Sequence, residues 1–236
     1  MIIEGVISVK AALENQKRDV LAVHVPDYKR SKDIRYLIHL CHVHDIPFRH
    51  VSRTEAAQIA SSPSHGGVFA EVGPRKYDDQ LNLKHDVLIL EGIEDPYNLG
   101  MAMRTALAAN FQTVISRQRD YHESEAIVLK ASAGASERLT WIMVDHFESI
   151  LSDLKAADYH LVSAVRSDAS IAYDQYKYPK RVCLCIGGER RGLSRAILDA
   201  SDGFVHIPYD KEVRIALSAV SATAVLTFEM VRQRKK

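Results

Sequence analysis

The sequence lacks the features that identify several common protein classes. Its 236 residues carry a formal net charge of only +1, so overall charge indicates no partner, and a nucleic-acid binder would need local basic patches. Its three cysteines are odd in number and have no repeated spacing, which argues against a disulfide framework and for a reducing compartment. No apolar run approaches the ~18 residues of a membrane span. The first residues indicate a folded helix instead of a signal peptide, so we expect a cytoplasmic protein without a membrane partner.

Glycine-rich phosphate-binding motifs are also missing. In neither half of the chain does the first predicted strand lead into a glycine-rich turn, and no G-x-x-x-x-G-K-S/T occurs, which disfavours NAD and P-loop binding. The segment HLCHVH, His39 to His44, offers metal-ligating side chains, but no second ligand cluster accompanies it. We therefore predict no metal site.

Predicted strands and helices alternate along the whole chain, which indicates an α/β fold with a mainly parallel sheet. We predict a small α/β domain over residues 1–73, a polar linker over 74–86 and a larger domain over 87–236. In the small domain, Ser52 and Glu55 have the spacing of a capping box, which predicts a helix start. In the larger domain, predicted strands begin at Val87, Thr113, Trp141, His160, Val182 and Phe204. Several of them are continuously apolar, as expected of a sheet covered on both faces.

The segment IGGERRGLS, Ile186 to Ser194, follows one of these apolar strands. A strand-to-helix turn accounts for Gly187 and Gly188. It does not account for the charge cluster beside them, which lies at the carboxyl edge of the sheet, where ligands bind in open α/β folds. Bare glycine backbone at that edge would let a ligand approach closely.

The segment EDPYNLGMAMRTALAAN, beginning at Glu94, joins turn residues to a predicted helix from Gly100 to Ala109. Asn98 and Gly100 suit the entry of that helix. Arg104 is different, because an arginine on a largely apolar helix needs a partner or a ligand. Glu189 is the candidate partner if the two strand ends lie side by side. A last long helix is predicted from about Val213.

Together these segments resemble the SpoU (TrmH-type) branch of the SPOUT RNA ribose 2′-O-methyltransferases. The family motif Asn-x-Gly-x-x-x-Arg is matched by Asn98, Gly100 and Arg104. The loop Gly-x-Glu-x-x-Gly-Leu-Ser is matched by Gly187, Glu189, Gly192, Leu193 and Ser194. The third motif, Ile-Pro-Met followed by Ser-Leu-Asn-Val-Ser-x-Ala, is partly kept in IPYDKEVRIALSAVSATA. The segment KASAGAS resembles a Ser-x-Gly-Ala element of the family.

The resemblance implies an α/β-knot methyltransferase domain with a C-terminal trefoil knot, a homodimer, and a preceding small RNA-binding domain. It also implies that S-adenosyl-L-methionine is the cofactor and is held mainly by backbone groups. At the matching positions of this chain, those groups belong to Gly187, Gly188, Ile207 and Leu217.

For catalysis, the resemblance implies that Arg104 activates a ribose 2′-hydroxyl while Asn98 and Glu189 orient the reactants. The family asparagine of the third motif falls on Ser218 in one register and on Ala219 if the register shifts by one residue. We expect 2′-O-methylation of a ribose in rRNA or tRNA.

Two alternatives remain open. One is an RNA-binding SPOUT module with weak or lost activity, because the third motif is altered. The other is an α/β enzyme that uses Arg104 with Arg190 and Arg191 on a small anionic metabolite.

Overall fold

A computed structural model describes residues 1–62, 65–121, 123–188, 190–210 and 216–235. The chain forms two compact units: unit 1 comprises Met1–Lys76 and Tyr121–Arg138, and unit 2 comprises Tyr77–Asp120 and Leu139–Lys236. The helices and strands follow in the order β1 (Ile2–Glu4), α1 (Val6–Asn15), β2 (Val20–Pro26), α2 (Lys32–Val43), β3 (Phe48–Val51), α3 (Arg53–Ile59), β4 (Phe69–Val72), β5 (Val87–Glu91), α4 (Pro96–Ala108), β6 (Thr113–Arg117), α5 (Glu125–Ala131), α6 (Ala135–Arg138), β7 (Thr140–Val144), α7 (Glu148–Ala156), β8 (His160–Ala164), β9 (Ile171–Ala172), β10 (Val182–Gly187), α8 (Arg195–Ala200), β11 (Gly203–His206) and α9 (Ala219–Arg234).

Unit 1 contains a four-stranded mixed sheet in the order β1-β4-β2-β3. Strand β4 runs antiparallel to both β1 and β2, and only β2 and β3 are parallel. The expectation of a mainly parallel sheet is therefore wrong for this unit, because β4 returns between two strands that oppose it. The first residues were interpreted as helical, but Ile2–Glu4 pair with Phe69–Glu71 as a strand before α1 begins.

The predicted capping box of α3 is confirmed. The Ser52 Oγ accepts a hydrogen bond from the Glu55 N–H at 3.2 Å, and a Glu55 carboxylate oxygen accepts one from the Ser52 N–H at 2.8 Å. The core of unit 1 joins apolar side chains of α1, α2, β2 and β4 with Leu129 of α5. Helices α5 and α6 therefore belong to this unit although they follow two strands of unit 2 in the sequence.

Unit 2 contains a seven-stranded sheet in the order β7-β6-β5-β10-β8-β11-β9, and every pairing in it is parallel. This confirms the mainly parallel sheet and all six predicted strands, while the two-residue strand β9 was not predicted. The chain builds outward from β5 to β7 on one side and places β8 to β11 on the other. The carboxyl ends of β5 and β10 therefore meet at the point where the strand order reverses, which is where open α/β sheets bind ligands.

The predicted start of one helix is wrong, and that of another falls on residues that the structure does not describe. Helix α4 begins at Pro96, not at Gly100, because the Asp95 carboxylate caps it by accepting from the Asn98 N–H at 2.8 Å. Helix α9 begins at Ala219 with Ser218 as its cap, and the predicted start at Val213 lies outside the described residues.

None of the helices in the described ranges has the length and apolar character that crossing a membrane requires.

Candidate active site

The loops that follow β5 and β10 pack against each other through bare backbone. The Gly188 N–H donates to the Glu91 carbonyl at 2.6 Å, and the Gly192 N–H donates back to the Gly188 carbonyl at 3.0 Å. A Cβ atom added to Gly188 would collide with the carbonyl of Gly92. Gly192 has a φ of +64°, in the left-handed region that favours glycine. Backbone packing therefore accounts for these glycines.

A cavity of about 480 Å³ opens beside this contact. Aliphatic side chains and bare backbone form most of its wall, and Gly187, Gly188, Ile207 and Leu217 are all among its lining residues. The Leu217 N–H donates to the hydroxyl oxygen of Tyr209 at 3.2 Å. Tyr209, which stands where the family motif has methionine, lines the same cavity.

A smaller cleft of about 170 Å³ adjoins this cavity. Asn98 lines it together with Asp95 and Arg190, and it shares Gly188 and Ala219 with the larger cavity. The cleft that contains Asn98 therefore borders the cavity that the four predicted cofactor positions line.

Arg104 is exposed on α4 and lines neither space. Within the described ranges it has no hydrogen-bond or ion-pair partner. The predicted partner, Glu189, lies outside the described residues. Strands β5 and β10 are neighbours, as that pairing requires, with Glu91 opposite Gly187. The joint role of Arg104 and Glu189 stays a prediction.

Ser218 serves as the N-cap of α9. Its Oγ accepts from the Ser221 N–H at 3.3 Å and lies 3.2 Å from the Ser221 hydroxyl. Its neighbours Leu217 and Ala219 line the larger cavity, whereas Ser218 does not. A catalytic role for Ser218 therefore also stays a prediction.

Sequence reasoning overlooked Glu91, the last residue of β5. It is 6% exposed, and one of its carboxylate oxygens accepts from the Ser194 N–H at 2.6 Å. This contact anchors the start of α8 to the end of β5, beside the glycine loop. An acid that ends the apolar run VLIL was the available clue, because a charge at the end of a buried strand needs a polar partner.

Comparison with known families decides the assignment. Residues 86–228 match the model of the SpoU rRNA Methylase family, and residues 2–78 match a model described as RNA 2′-O ribose methyltransferase substrate binding. The chain belongs to the SpoU rRNA methylase family. The predicted family is confirmed, and the SpoU segment contains all the residues that line the cavity and the cleft.

Relatives match the SpoU chain over almost its entire length. The 23S rRNA (guanosine-2′-O-)-methyltransferase RlmB of Salmonella typhimurium is 29% identical over 241 residues, covering 99% of this chain and 98% of the relative. RlmB of Haemophilus ducreyi is 30% identical over 242 residues, covering 98% and 97%. A putative TrmH family tRNA/rRNA methyltransferase of Staphylococcus saprophyticus is 27% identical over 243 residues, covering 99% and 96%.

Solved structures share the fold of the SpoU chain. The SpoU methyltransferase AviRb from Streptomyces viridochromogenes, solved in complex with AdoMet, matches with a TM-score of 0.78 and 20% identity, covering 100% of this chain and 91% of AviRb. An RNA 2′-O ribose methyltransferase matches with a TM-score of 0.78 and 22% identity, covering 100% and 89%.

Proposed function

We propose that the protein transfers a methyl group from S-adenosylmethionine to the 2′-hydroxyl of a ribose in rRNA or tRNA. Because its relatives include RlmB proteins, which are named for guanosine 2′-O-methylation of 23S rRNA, a guanosine of 23S rRNA is the first candidate substrate. The observation that carries the proposal is the junction of two spaces at Gly188 and Ala219: a largely aliphatic, backbone-lined cavity and a polar cleft that contains Asn98.

The cavity suits the cofactor in size and lining. Small-molecule sites commonly enclose roughly 300–1,000 Å³ with mostly apolar walls and a few polar groups, and this cavity of about 480 Å³ falls in that range. Gly187, Gly188, Ile207 and Leu217 would hold the cofactor through peptide groups. When bound, S-adenosylmethionine supplies an electrophilic methyl group.

The chain's own residues would position the ribose and stabilise charge. A ribose 2′-hydroxyl is a poor nucleophile at neutral pH, so it must be held in line with the methyl group while its developing negative charge is stabilised. The Asn98 amide, at the cleft beside Gly188, would orient the ribose. A guanidinium offers N–H donors and no acceptor, which does not suit a simple base, so we assign Arg104 electrostatic activation and phosphate positioning. Glu189 and Ser218 keep the roles of orienting residues in this proposal.

We also propose that the protein is a homodimer. Tyr97, Met101 and Arg104 have the i, i+4, i+7 spacing of one helix face, and Tyr97 and Met101 are 58% and 40% exposed. Helix α9 packs against α4 and exposes 48% of Phe228. Exposed large apolar side chains on adjacent helices are typical of an interface. A second copy covering this surface would also place a partner beside Arg104.

Light scattering after gel filtration tests the dimer. Wild type should have the mass of two chains. Phe228→Asp should lower the measured mass toward that of one chain, because burying an unpaired charge in an interface is unfavourable. Asp33→Asn, on an exposed residue of unit 1, serves as a control and should stay dimeric. A monomeric wild type would contradict the dimer.

RNA contact is proposed for a basic groove of unit 1 at the start of α2. The groove, about 800 Å³, is lined by Lys29, Arg30, Arg35 and His50 over an apolar floor that includes Ile34. Clustered cations that track a phosphate backbone supply salt-dependent RNA affinity, and an apolar floor suits bases. Arg30→Gln with Arg35→Gln should weaken RNA binding and flatten its dependence on salt, with cofactor affinity unchanged.

The transferase proposal is tested by methyl transfer from labelled S-adenosylmethionine to rRNA and tRNA prepared from cells that lack this gene. Wild type should label RNA at ribose. Arg104→Ala should reduce the rate by roughly 100-fold or more, the range for loss of one charge-stabilising group, and should leave cofactor affinity intact. Arg104→Lys is the matched variant that keeps the charge but loses the planar fork. Wild type that binds RNA and cofactor without transfer would instead favour the non-catalytic alternative.

Three further expectations belong to this proposal. The trefoil knot stays a prediction, since positions 211–215 of its C-terminal segment lie outside the described residues. A cytoplasmic location is proposed from the reducing compartment that the cysteines indicate. The functional division into an RNA-binding domain (1–73), a linker (74–86) and a methyltransferase domain (87–236) is retained as part of the proposal.

A further inference from the structure

The cavity of about 480 Å³ beside the glycine loop is the proposed cofactor site. Among its described lining residues, Arg166 has the one permanently charged side chain. The other described lining residues are aliphatic, glycine, alanine, a half-buried tyrosine and a half-buried histidine. No carboxylate lines the described wall. A single cation at the edge of an aliphatic cavity can pair with one anionic group of the ligand that the cavity holds.

The backbone on either side of Arg166 is held by hydrogen bonds. Directly before it, the Val165 N–H donates to the Val205 carbonyl at 2.9 Å, which extends the pairing of β8 with β11. Directly after it, the Ser167 N–H donates to the Ser170 Oγ at 3.1 Å. That hydroxyl also lies 2.6 Å from the Ser167 carbonyl and 2.9 Å from the His206 ring nitrogen Nδ1. Hydrogen bonds of both neighbours thus hold the segment from which Arg166 reaches the cavity edge.

The guanidinium of Arg166 is available to a ligand. It is exposed and has no hydrogen-bond or ion-pair partner within the described ranges. By contrast, Arg190 at the neighbouring cleft lies 3.8 Å from the Glu94 carboxylate. A guanidinium presents a planar pair of N–H donors that matches a carboxylate, so this pairing gains both geometry and charge.

S-adenosylmethionine carries one anionic group, the carboxylate of its methionine part. Bound in the aliphatic cavity, that carboxylate would need a cation or several N–H donors to replace water. From these observations we infer that Arg166 binds the carboxylate of S-adenosylmethionine and thereby fixes the direction of its methionine arm. This inference rests on the proposed function. Arg166 would recognise the carboxylate and position the cofactor, and it would take no part in the methyl transfer.

The test compares two ligands and two proteins by calorimetry, without RNA and without turnover. S-adenosylmethionine has the carboxylate, whereas decarboxylated S-adenosylmethionine lacks only that group and keeps the sulfonium and the amine. Arg166→Gln should lower the affinity for S-adenosylmethionine by about 5- to 10-fold. The loss is modest because the pair of guanidinium and carboxylate is partly exposed to water. Its affinity for the decarboxylated ligand should stay the same or improve, since removing the arginine removes repulsion from a doubly positive ligand.

The decarboxylated ligand also shows whether Arg166→Gln is folded, because a collapsed cavity would lose both ligands. Arg195→Gln is the matched control: Arg195 is exposed, pairs with Asp199 on α8 and lies outside the cavity lining, so both affinities should be those of wild type. Unchanged affinity of Arg166→Gln for S-adenosylmethionine would overturn the inference, and so would an equal loss for both ligands. If wild type binds neither ligand, the proposed function itself fails, which is a distinguishable result.

Discussion

Replacing Arg18 by methionine should destabilise unit 1 more than any exposed arginine replacement. The side chain of Arg18 is 1% exposed and makes a paired contact with Glu137, at 3.0 and 3.1 Å, and a single contact with Glu125 at 3.0 Å. Burial lowers the pKa of Arg18, but the hydrogen bonds and negative charges of Glu137 and Glu125 outweigh it and raise the pKa above its ordinary value. The arginine therefore stays charged inside the unit. It connects the segment between α1 and β2 to helices α5 and α6.

The magnitude follows from what the substitution leaves behind. Glu137 is 0% exposed, and Arg18 is the one ion-pair partner of its carboxylate among the described residues, so Arg18→Met buries that carboxylate without its cation. Removing one partner of a buried ion pair costs about 3–5 kcal/mol. By contrast, Arg138→Met removes a 48% exposed arginine that lies 3.4 Å from Glu14, and we expect a loss of less than about 1 kcal/mol. A variant that also carries Glu137→Met should recover most of the loss, since the buried Glu137 carboxylate is then removed together with its cation.

Hydrogen exchange of the β2 and β4 amides in urea measures this loss. The single tryptophan, Trp141, lies in β7 of unit 2, so its fluorescence follows the other unit separately. We expect Arg18→Met to lower the free energy of opening of unit 1 in this assay. If the losses of free energy of opening in Arg18→Met and Arg138→Met differed by less than about 1 kcal/mol, the reasoning would be refuted. The buried Glu137 carboxylate would then not depend on Arg18 for its stabilisation.

Two further predictions concern the backbone of each unit. Gly188→Ala should weaken S-adenosylmethionine binding by roughly tenfold or more, because its Cβ collides with the Gly92 carbonyl and displacements of about 1 Å in a site are costly. Gly73→Ala, whose Cβ has no neighbour closer than 3.8 Å, is the calorimetric control, and equal affinities in the two variants would count against the packing argument. Ser52→Ala should cost about 1 kcal/mol by removing the capping box of α3. Hydrogen exchange of the α3 amides checks this loss, with the exposed Thr54→Ala as comparison, and full protection in Ser52→Ala would contradict it.

Local sequence patterns predicted the elements of unit 2 well. Its central strands are buried on both faces, so their apolar runs begin and end clearly, as at Val87 and Val182. The capping box at Ser52 was equally readable, because donor and acceptor are three residues apart. These features depend on neighbours in the chain, which a single sequence displays.

Features that depend on distant neighbours were missed. Strand β1 has only three residues, too few for an alternation, and its pairing partner β4 lies more than sixty residues away. The pairing of Arg18 with Glu137 spans 119 residues. For the same reason the sequence did not indicate a role for Arg166. Nothing near it in the chain shows that the end of β8 borders a cavity that residues of β10 and α9 also line.

Mass spectrometry of ribose methylation in 23S rRNA, from cells with and without this gene, tests the central claim most directly. One 2′-O-methylated nucleotide should be present with the gene, absent without it, restored by wild type and not restored by Arg104→Ala. Identical methylation profiles of rRNA and tRNA in both cells would contradict the account.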